Sequence, residues 1–225
     1  MKKTIGLFLL VLLFSGIHAQ EKAFQFGFKL APNAGWIKPG SEGYERNGIK
    51  PGFSWGVQGD IYLMENYSVH TGFNINYING RYIYPHKTGS STGTLDRTIR
   101  MKYFQIPATL RMKTNELDNF VLYGEFGLGL GILTDATADD VFTVNNQVIN
   151  ETKKADATKD FRRSRESLII GAGAYYGLGG STKLTAGLRF DNNFFDILKN
   201  QNTVNPSISK KAIANFIELQ MGILF

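Results

Sequence analysis

The chain has 225 residues, no cysteine, and a formal charge of +6 from 25 Lys and Arg against 19 Asp and Glu. The missing cysteine excludes disulfides, thiolate metal ligands, a cysteine nucleophile and lipid attachment through an N-terminal cysteine. The basic residues are scattered rather than clustered, which gives nucleic-acid binding no support.

The opening "MKKTIGLFLLVLLFSGIHAQ" sets Lys2 and Lys3 before an apolar run from Ile5 to about Gly16, with Ala19 preceding Gln20. A basic start, a short apolar stretch and a small residue form a secretory signal peptide, here residues 1–19, and the run is short for a transmembrane helix. Ile17 departs from the small residue usual at that position. Loss of Lys2 and Lys3 lowers the charge from +6 to +4. No later apolar stretch is long enough to span a bilayer as a helix, so an exported chain of this kind is either a secreted soluble domain or a barrel.

Residues 20–225 then read as one domain of eight strands with period-two alternation. "FQFGFKL" opposes Phe24, Phe26, Phe28 and Leu30 to Gln25, Gly27 and Lys29, and "FSWGVQGDIYL" opposes Phe53, Trp55, Val57, Ile61 and Leu63 to Ser54, Gln58, Asp60 and Tyr62. "VHTGFNINY", "YFQIPATLRMK", "FVLYGEFGLGLGI", "SLIIGAGAYYGL", "KLTAGLRFD" and "NFIELQMGILF" repeat the pattern. Each is roughly nine to twelve residues, long enough to cross a membrane when tilted. Glu65-Asn66, "TNELDN" and Gly179-Gly180-Ser181 read as tight turns, whereas 34–51, 80–99, 134–160 and 194–214 read as long polar loops.

Short turns on one side and long loops on the other predict an all-β, eight-stranded, antiparallel up-and-down transmembrane barrel, with turns in the periplasm and loops outside. Lipid covers the apolar face, and pairing of the first strand with the last removes both edges. A soluble β-sandwich also alternates, but it would not place charge, amide and glycine in mid-strand.

The inward phase collects Lys29, Asp60, His70, Arg111, Glu125, Arg189 and Glu218, mostly with opposite signs on neighbouring strands and with Lys29 facing Glu218 across the closing seam. Because a lone buried charge is costly, this ladder reads as structural; a proton or ion path is the functional alternative. An eight-stranded barrel is just wide enough for side chains to fill it. The glycines around 127–131 and 171–177 lie within strands with no helix after them, so they are inward spacers rather than a phosphate loop. Pro107 predicts a bulge or weak point in the fourth strand.

Catalytic constellations are thin. "GSSTG", Gly89 to Gly93, has the spacing of a serine-hydrolase elbow without the strand-turn-helix corner such an elbow needs. His70 and His86 are the histidines after the signal, and nothing in the sequence ties His86 to Asp139-Asp140 as a loop-borne base would require. Neither a metal site nor any cofactor site follows from this distribution. Within the third loop, "VFTVNNQVIN" predicts a hairpin around Asn145-Asn146, as an extension of the fifth and sixth strands, followed by a solvated rim in which Arg162, Arg163 and Arg165 face lipid phosphates.

The "HAQ" signal end, "FGFKLAPNAGW", "YFQIPATLRMK", the glycine-rich fifth strand and the terminal Phe225 resemble the PorT-like, or porin-family, outer-membrane barrels of Bacteroidetes. That resemblance implies an outer-membrane location and contact with membrane lipid. It also implies insertion by the barrel-assembly machinery, with Ile217, Leu219, Met221, Ile223 and Phe225 as the outward face of the assembly signal. The family includes a protein linked to type IX secretion. The expected function is a structural or interaction scaffold with partner-binding surface loops in protein secretion or cell-surface assembly; porin-like passage of small solutes is the alternative, and a loop-borne enzyme the third.

Overall fold

The computed structural model describes residues 23–199 and 201–225; the signal peptide expected at 1–19 lies outside them. Among the described residues the chain forms β1 (Phe24–Pro39), β2 (Glu45–Met64), β3 (Tyr67–Thr88), β4 (Ser91–Lys113), β5 (Phe120–Val144), β6 (Gln147–Asp156), β7 (Ser164–Gly179), β8 (Thr182–Asn193) and β9 (Ala212–Leu224), with one 3-10 turn at Thr158–Asp160. All pairings are antiparallel, and β1-β2-β3-β4-β5-β7-β8-β9 closes on itself through β1 and β9. This is the eight-stranded up-and-down barrel expected from the alternation, and β6 is an addition outside the ring.

Alternation is the cause of closure. Along β1 exposed and buried residues strictly alternate from Phe24 to Gly35. The exposed set, including Phe28, Leu30, Trp55, Phe126, Leu188 and Leu219, forms an apolar outer belt. In hydrocarbon every backbone donor needs an internal partner, which a closed ring supplies. At the seam Gly27 faces Leu224, and a Cβ on Gly27 would stand 1.8 Å from the Ile223 carbonyl oxygen, so no larger residue fits there.

The turns expected to be short are as tight as the sequence indicates. Met64 pairs with Tyr67 around Glu65-Asn66, and Leu117 bridges to Phe120 around Asp118 and Asn119, whose φ values are 46 and 70. Positive φ at both central residues matches the twist of the flanking strands.

The other side differs from the loops expected. Most of 34–51, 80–99 and 134–160 is strand: β3 and β4 continue to a two-residue turn between Thr88 and Ser91, and β5 continues to Val144. The "GSSTG" stretch is the tip of that first hairpin, with Gly89 at φ 60, and is no strand-to-helix elbow. Asn145 and Asn146, at φ 47 and 63, make the hairpin turn. The strand that returns from it is β6, which pairs with the upper part of β5, while β7 begins only at Ser164, opposite Ile132. The fifth strand therefore extends as expected, but the sixth ring strand does not.

Pro107 is the weak point expected but not a bulge: the β3–β4 ladder is interrupted opposite it, between Thr71–Ala108 and Asn74–Gln105, with no shift of register. Pro107 keeps register with Gly129, and the bulge in the β4–β5 ladder lies instead where Lys102 pairs with Asp135 and Tyr103 with Leu133, leaving Thr134 as the extra residue. Its hydroxyl donates to the Lys102 carbonyl at 2.9 Å. A proline at a position that need not donate leaves a ladder unshifted, whereas one unmatched residue must shift it.

Candidate functional site

The interior is built from side chains that alternate inward and meet. Lys29 Nζ donates to Glu218 Oε1 at 2.6 Å, and Arg189 Nη1 stands 3.6 Å from the same oxygen. Arg189 Nε donates to Glu125 Oε1 at 2.6 Å, and Arg111 Nε to Glu125 Oε2 at 2.9 Å. Arg111 Nη1 lies 3.3 Å from Asp60, and His70 Nδ1 lies 2.8 Å from Asp60 Oδ1. All seven inward charges read from the sequence thus stand in one connected ladder.

Tyr175, which the charge pattern could not flag, completes it. Arg111 Nη1 donates to the Tyr175 hydroxyl at 2.7 Å, and that hydroxyl donates to Asp60 Oδ2 at 2.8 Å. One side chain from each of the eight ring strands therefore meets across the lumen, each essentially inaccessible to solvent. Glycine makes the room: a Cβ on Gly171 would stand 2.8 Å from Glu125 Oε1, and one on Gly173 would stand 2.6 Å from the Tyr123 hydroxyl.

A second buried group sits nearer the outside. Arg165 Nη2 donates to Asp191 Oδ1 at 2.6 Å and to the Ala214 carbonyl at 3.1 Å, with its guanidinium between the Tyr103 and Phe216 rings at 5.8 and 5.4 Å. This overturns its expected place on the lipid-phosphate rim; Arg162 and Arg163 are exposed. Period two carried back from inward Gly171 through Ile169 and Ser167 reaches Arg165, so the signal was present one turn of the pattern beyond the strand end. Gln105 joins this group to β3, donating to Asp191 Oδ2 at 2.9 Å and accepting from Asn76 at 2.6 Å.

Above this level the filling is apolar. Ile37, Ile78, Tyr82, Ile99, Met101, Phe142, Phe161 and Ile197 belong to one buried cluster. Its cover comes from the segments before β7 and β9, which meet in a bridge between Phe161 and Leu198. Arg97 fastens that cover, donating to Asp140 through two bonds of 2.7 Å and to Asp160 at 2.8 Å.

His86 and the neighbouring acids do not join in a catalytic arrangement. His86 Nδ1 lies 3.0 Å from Thr203 Oγ1, and its ring contacts Tyr84 and Phe142 edge-on. Asp139 instead accepts from Arg100, and Asp140 from Arg97. The Arg100 guanidinium, with the Lys154 backbone N–H, holds the Asp139 carboxyl down at about 2. Burial, with Lys210 and Arg97 nearby, lowers the pKa of His86 below its ordinary value. Among the described residues no group of three or more His, Cys, Asp and Glu converges as metal ligands would.

A closed antiparallel ring of eight strands with an apolar outer belt, tight turns at one end and tall hairpins at the other defines an eight-stranded outer-membrane β-barrel protein. The chain belongs to the outer membrane protein beta-barrel domain family, whose model matches residues 18–199, and its location is the outer membrane. Among solved structures it is similar to Neisserial surface protein A, at 14% identity over 90% of this chain and 96% of that one, with a TM-score of 0.47. It is likewise similar to OprG of Pseudomonas aeruginosa, at 14% identity over 91% and 97% of the chains, TM-score 0.47. A third is Ail, the attachment invasion locus protein of Yersinia pestis, at 14% identity over 91% and 100%, TM-score 0.42. No curated protein sequence matches the chain significantly.

Proposed function

We propose that this barrel is a closed structural and interaction scaffold whose extracellular hairpins bind a protein partner, in protein secretion or cell-surface assembly. It is not an enzyme on this reading, and it needs no cofactor. The observation that carries it is the lumen, where all eight ring strands contribute to one ion-paired ladder beneath a continuous apolar core. That filling supports a scaffold over a conduit for small solutes, since breaking a buried ion pair to admit solute costs several kcal/mol. The β5–β6 hairpin supports the interaction role: it stands outside the ring and exposes Val148 and Ile149 to water. Planar-bilayer recording of the purified protein tests the reading. Near silence is expected, and sustained open steps would replace the scaffold by a porin.

The finer identity, a PorT-like barrel of Bacteroidetes type acting with a secretion complex, rests on the sequence motifs, as does removal of a signal peptide. Protein recovered from outer membranes should begin at Gln20 by N-terminal sequencing. The β9 face of Ile217, Leu219, Met221, Ile223 and Phe225 is proposed to be read by the barrel-assembly machinery. Phe225 packs its ring 5.9 Å from that of Phe26, and its N–H bonds the Phe26 carbonyl at 2.8 Å. Phe225→Ala should lower outer-membrane abundance far more than it lowers the urea midpoint of refolded protein. Equal, large losses would make Phe225 a packing residue only.

A further inference from the structure

Beneath the ladder the barrel opens toward the periplasm in a cavity of about 550 Å³, whose walls include Gln25, Tyr62, Lys113, Tyr175, Ser181 and Lys183. Its volume is that of a small-molecule site. Tyr175, a member of the ladder, lines it, so the cavity borders the closed lumen. The walls are tied together rather than loose: Gln25 Nε2 donates to the Ser181 carbonyl at 2.9 Å, and Gln25 Oε1 accepts from the Tyr62 hydroxyl.

The charges of this cavity break the rule that governs the rest of the interior. Lys29, Arg111, Arg165 and Arg189 are each ion-paired. Lys113, at the end of β4, and Lys183, near the start of β8, are half-buried, and neither has a carboxylate within ion-pair distance among the described residues. Lys113 Nζ rests 3.6 Å from the centre of the Tyr62 ring; it feels the Asp60 carboxylate, which is itself engaged by Arg111 and His70, and the like charge of Lys183. Glu65 and Glu116, also on the cavity wall, are exposed. Two half-buried cations that share a concave space, with no carboxylate at ion-pair distance among the described residues, favour entry of an anion, because charge complementarity in a partly desolvated site is worth more than at an open surface.

We propose that this periplasmic vestibule binds a small dianion, dicarboxylate or phosphate in chemistry, between the Lys113 and Lys183 ammonium groups. The scaffold reading does not depend on this site, and a silent barrel with or without anion binding leaves each judged separately.

Calorimetric titration of the purified full chain in zwitterionic detergent tests it, with succinate and inorganic phosphate as probes and neutral succinamide as control. Saturable binding of one anion or both is expected, with none for succinamide, and which anion binds identifies the source. Lys113→Gln and Lys183→Gln should each weaken binding about tenfold, equivalent to about 1.4 kcal/mol, and the double variant should abolish it. Lys113→Arg, which keeps the charge, should bind nearly as wild type, and Glu65→Gln should not weaken binding. Wild-type heat-modifiable migration on gels verifies that each variant is folded. The proposal is overturned by an absence of saturable anion binding, by equal binding of succinamide, or by an unchanged Kd in the folded double variant.

Discussion

The lower and upper halves of the barrel use the same strands with opposite inward chemistry. Along β3 the inward series runs Ser68, His70, Asn74, Asn76 and then Ile78, Tyr82, Tyr84; along β9, read upward, it runs Gln220, Glu218 and then Phe216, Ala214, Ala212. On β4 the change falls between Gln105 and Tyr103. The solvent outside decides the chemistry inside. Where lipid covers the wall, apolar residues face outward and the polar remainder must satisfy itself within; where water surrounds the wall, the apolar residues turn inward and drive packing. The lower half is thus held by pairing and the upper half by burial.

The strongest way to break this contrast is at Glu125, whose two oxygens serve Arg111 and Arg189. Glu125→Ala should cost about 3–5 kcal/mol, since it leaves two buried cations short of a partner. Urea unfolding in lipid vesicles measures it, and a loss under about 1 kcal/mol would show that the ladder does not hold the lower half.

In the upper half, Ile99 is fully buried within the apolar cluster. Ile99→Ala should cost about 2–4 kcal/mol through lost transfer energy and the cavity left behind. Hydrogen exchange should show faster exchange above Ile78 and Tyr103 with the lower strands still protected. Loosening that spread evenly to both halves would erase the distinction between them.

The smallest expected effect is one of pH. Burial lowers the His86 pKa in the folded chain from its ordinary value of 6.5, with Lys210 and Arg97 adding to the shift and Asp140 opposing it. The unfolded chain therefore takes up a proton that the folded upper half resists. The stability contribution is complete above the ordinary value and is lost as pH falls below it. Acidification from about pH 7.5 to about pH 5 should speed amide exchange at Asn202 and Val204 beside the Thr203 contact, and His86→Gln should remove that response. An equal response in the variant would assign the change to another group.

Much of this was legible because period two survives any tertiary context. The lipid-facing residues of β1, the tight turn at Asp118-Asn119, the Asn145-Asn146 hairpin and the convergence of Lys29 with Glu218 all follow from phase alone. The tall β1–β2 and β3–β4 hairpins were not legible, because a strand in water reverses the sense of its two faces. Tyr82, Tyr84, Leu95 and Ile99 sit in the phase that carries His70 and Arg111 lower down, so a reading keyed to the lipid-facing phase took 80–99 for polar loop. Arg165 was missed for the same reason, standing beyond the last lipid-facing residue of its strand. The cover over the upper core depends on pairings such as Ile197 N–H to the Ala212 carbonyl, at 2.8 Å, which no local pattern encodes.

Thr134 bears on how such a protein diversifies. Inward residues of β5 carry odd numbers below it, as at Tyr123 and Glu125, and even numbers above it, as at Ala136, Ala138 and Phe142. One unmatched residue separates two reading frames within a single strand. Substitutions or paired insertions in the hairpin above Thr134 leave the frame of the embedded wall untouched, so the exposed part can change in length and sequence without altering which embedded residues face lipid. The bulge is a splice point, and grafted hairpins that join there keep the barrel below them in phase.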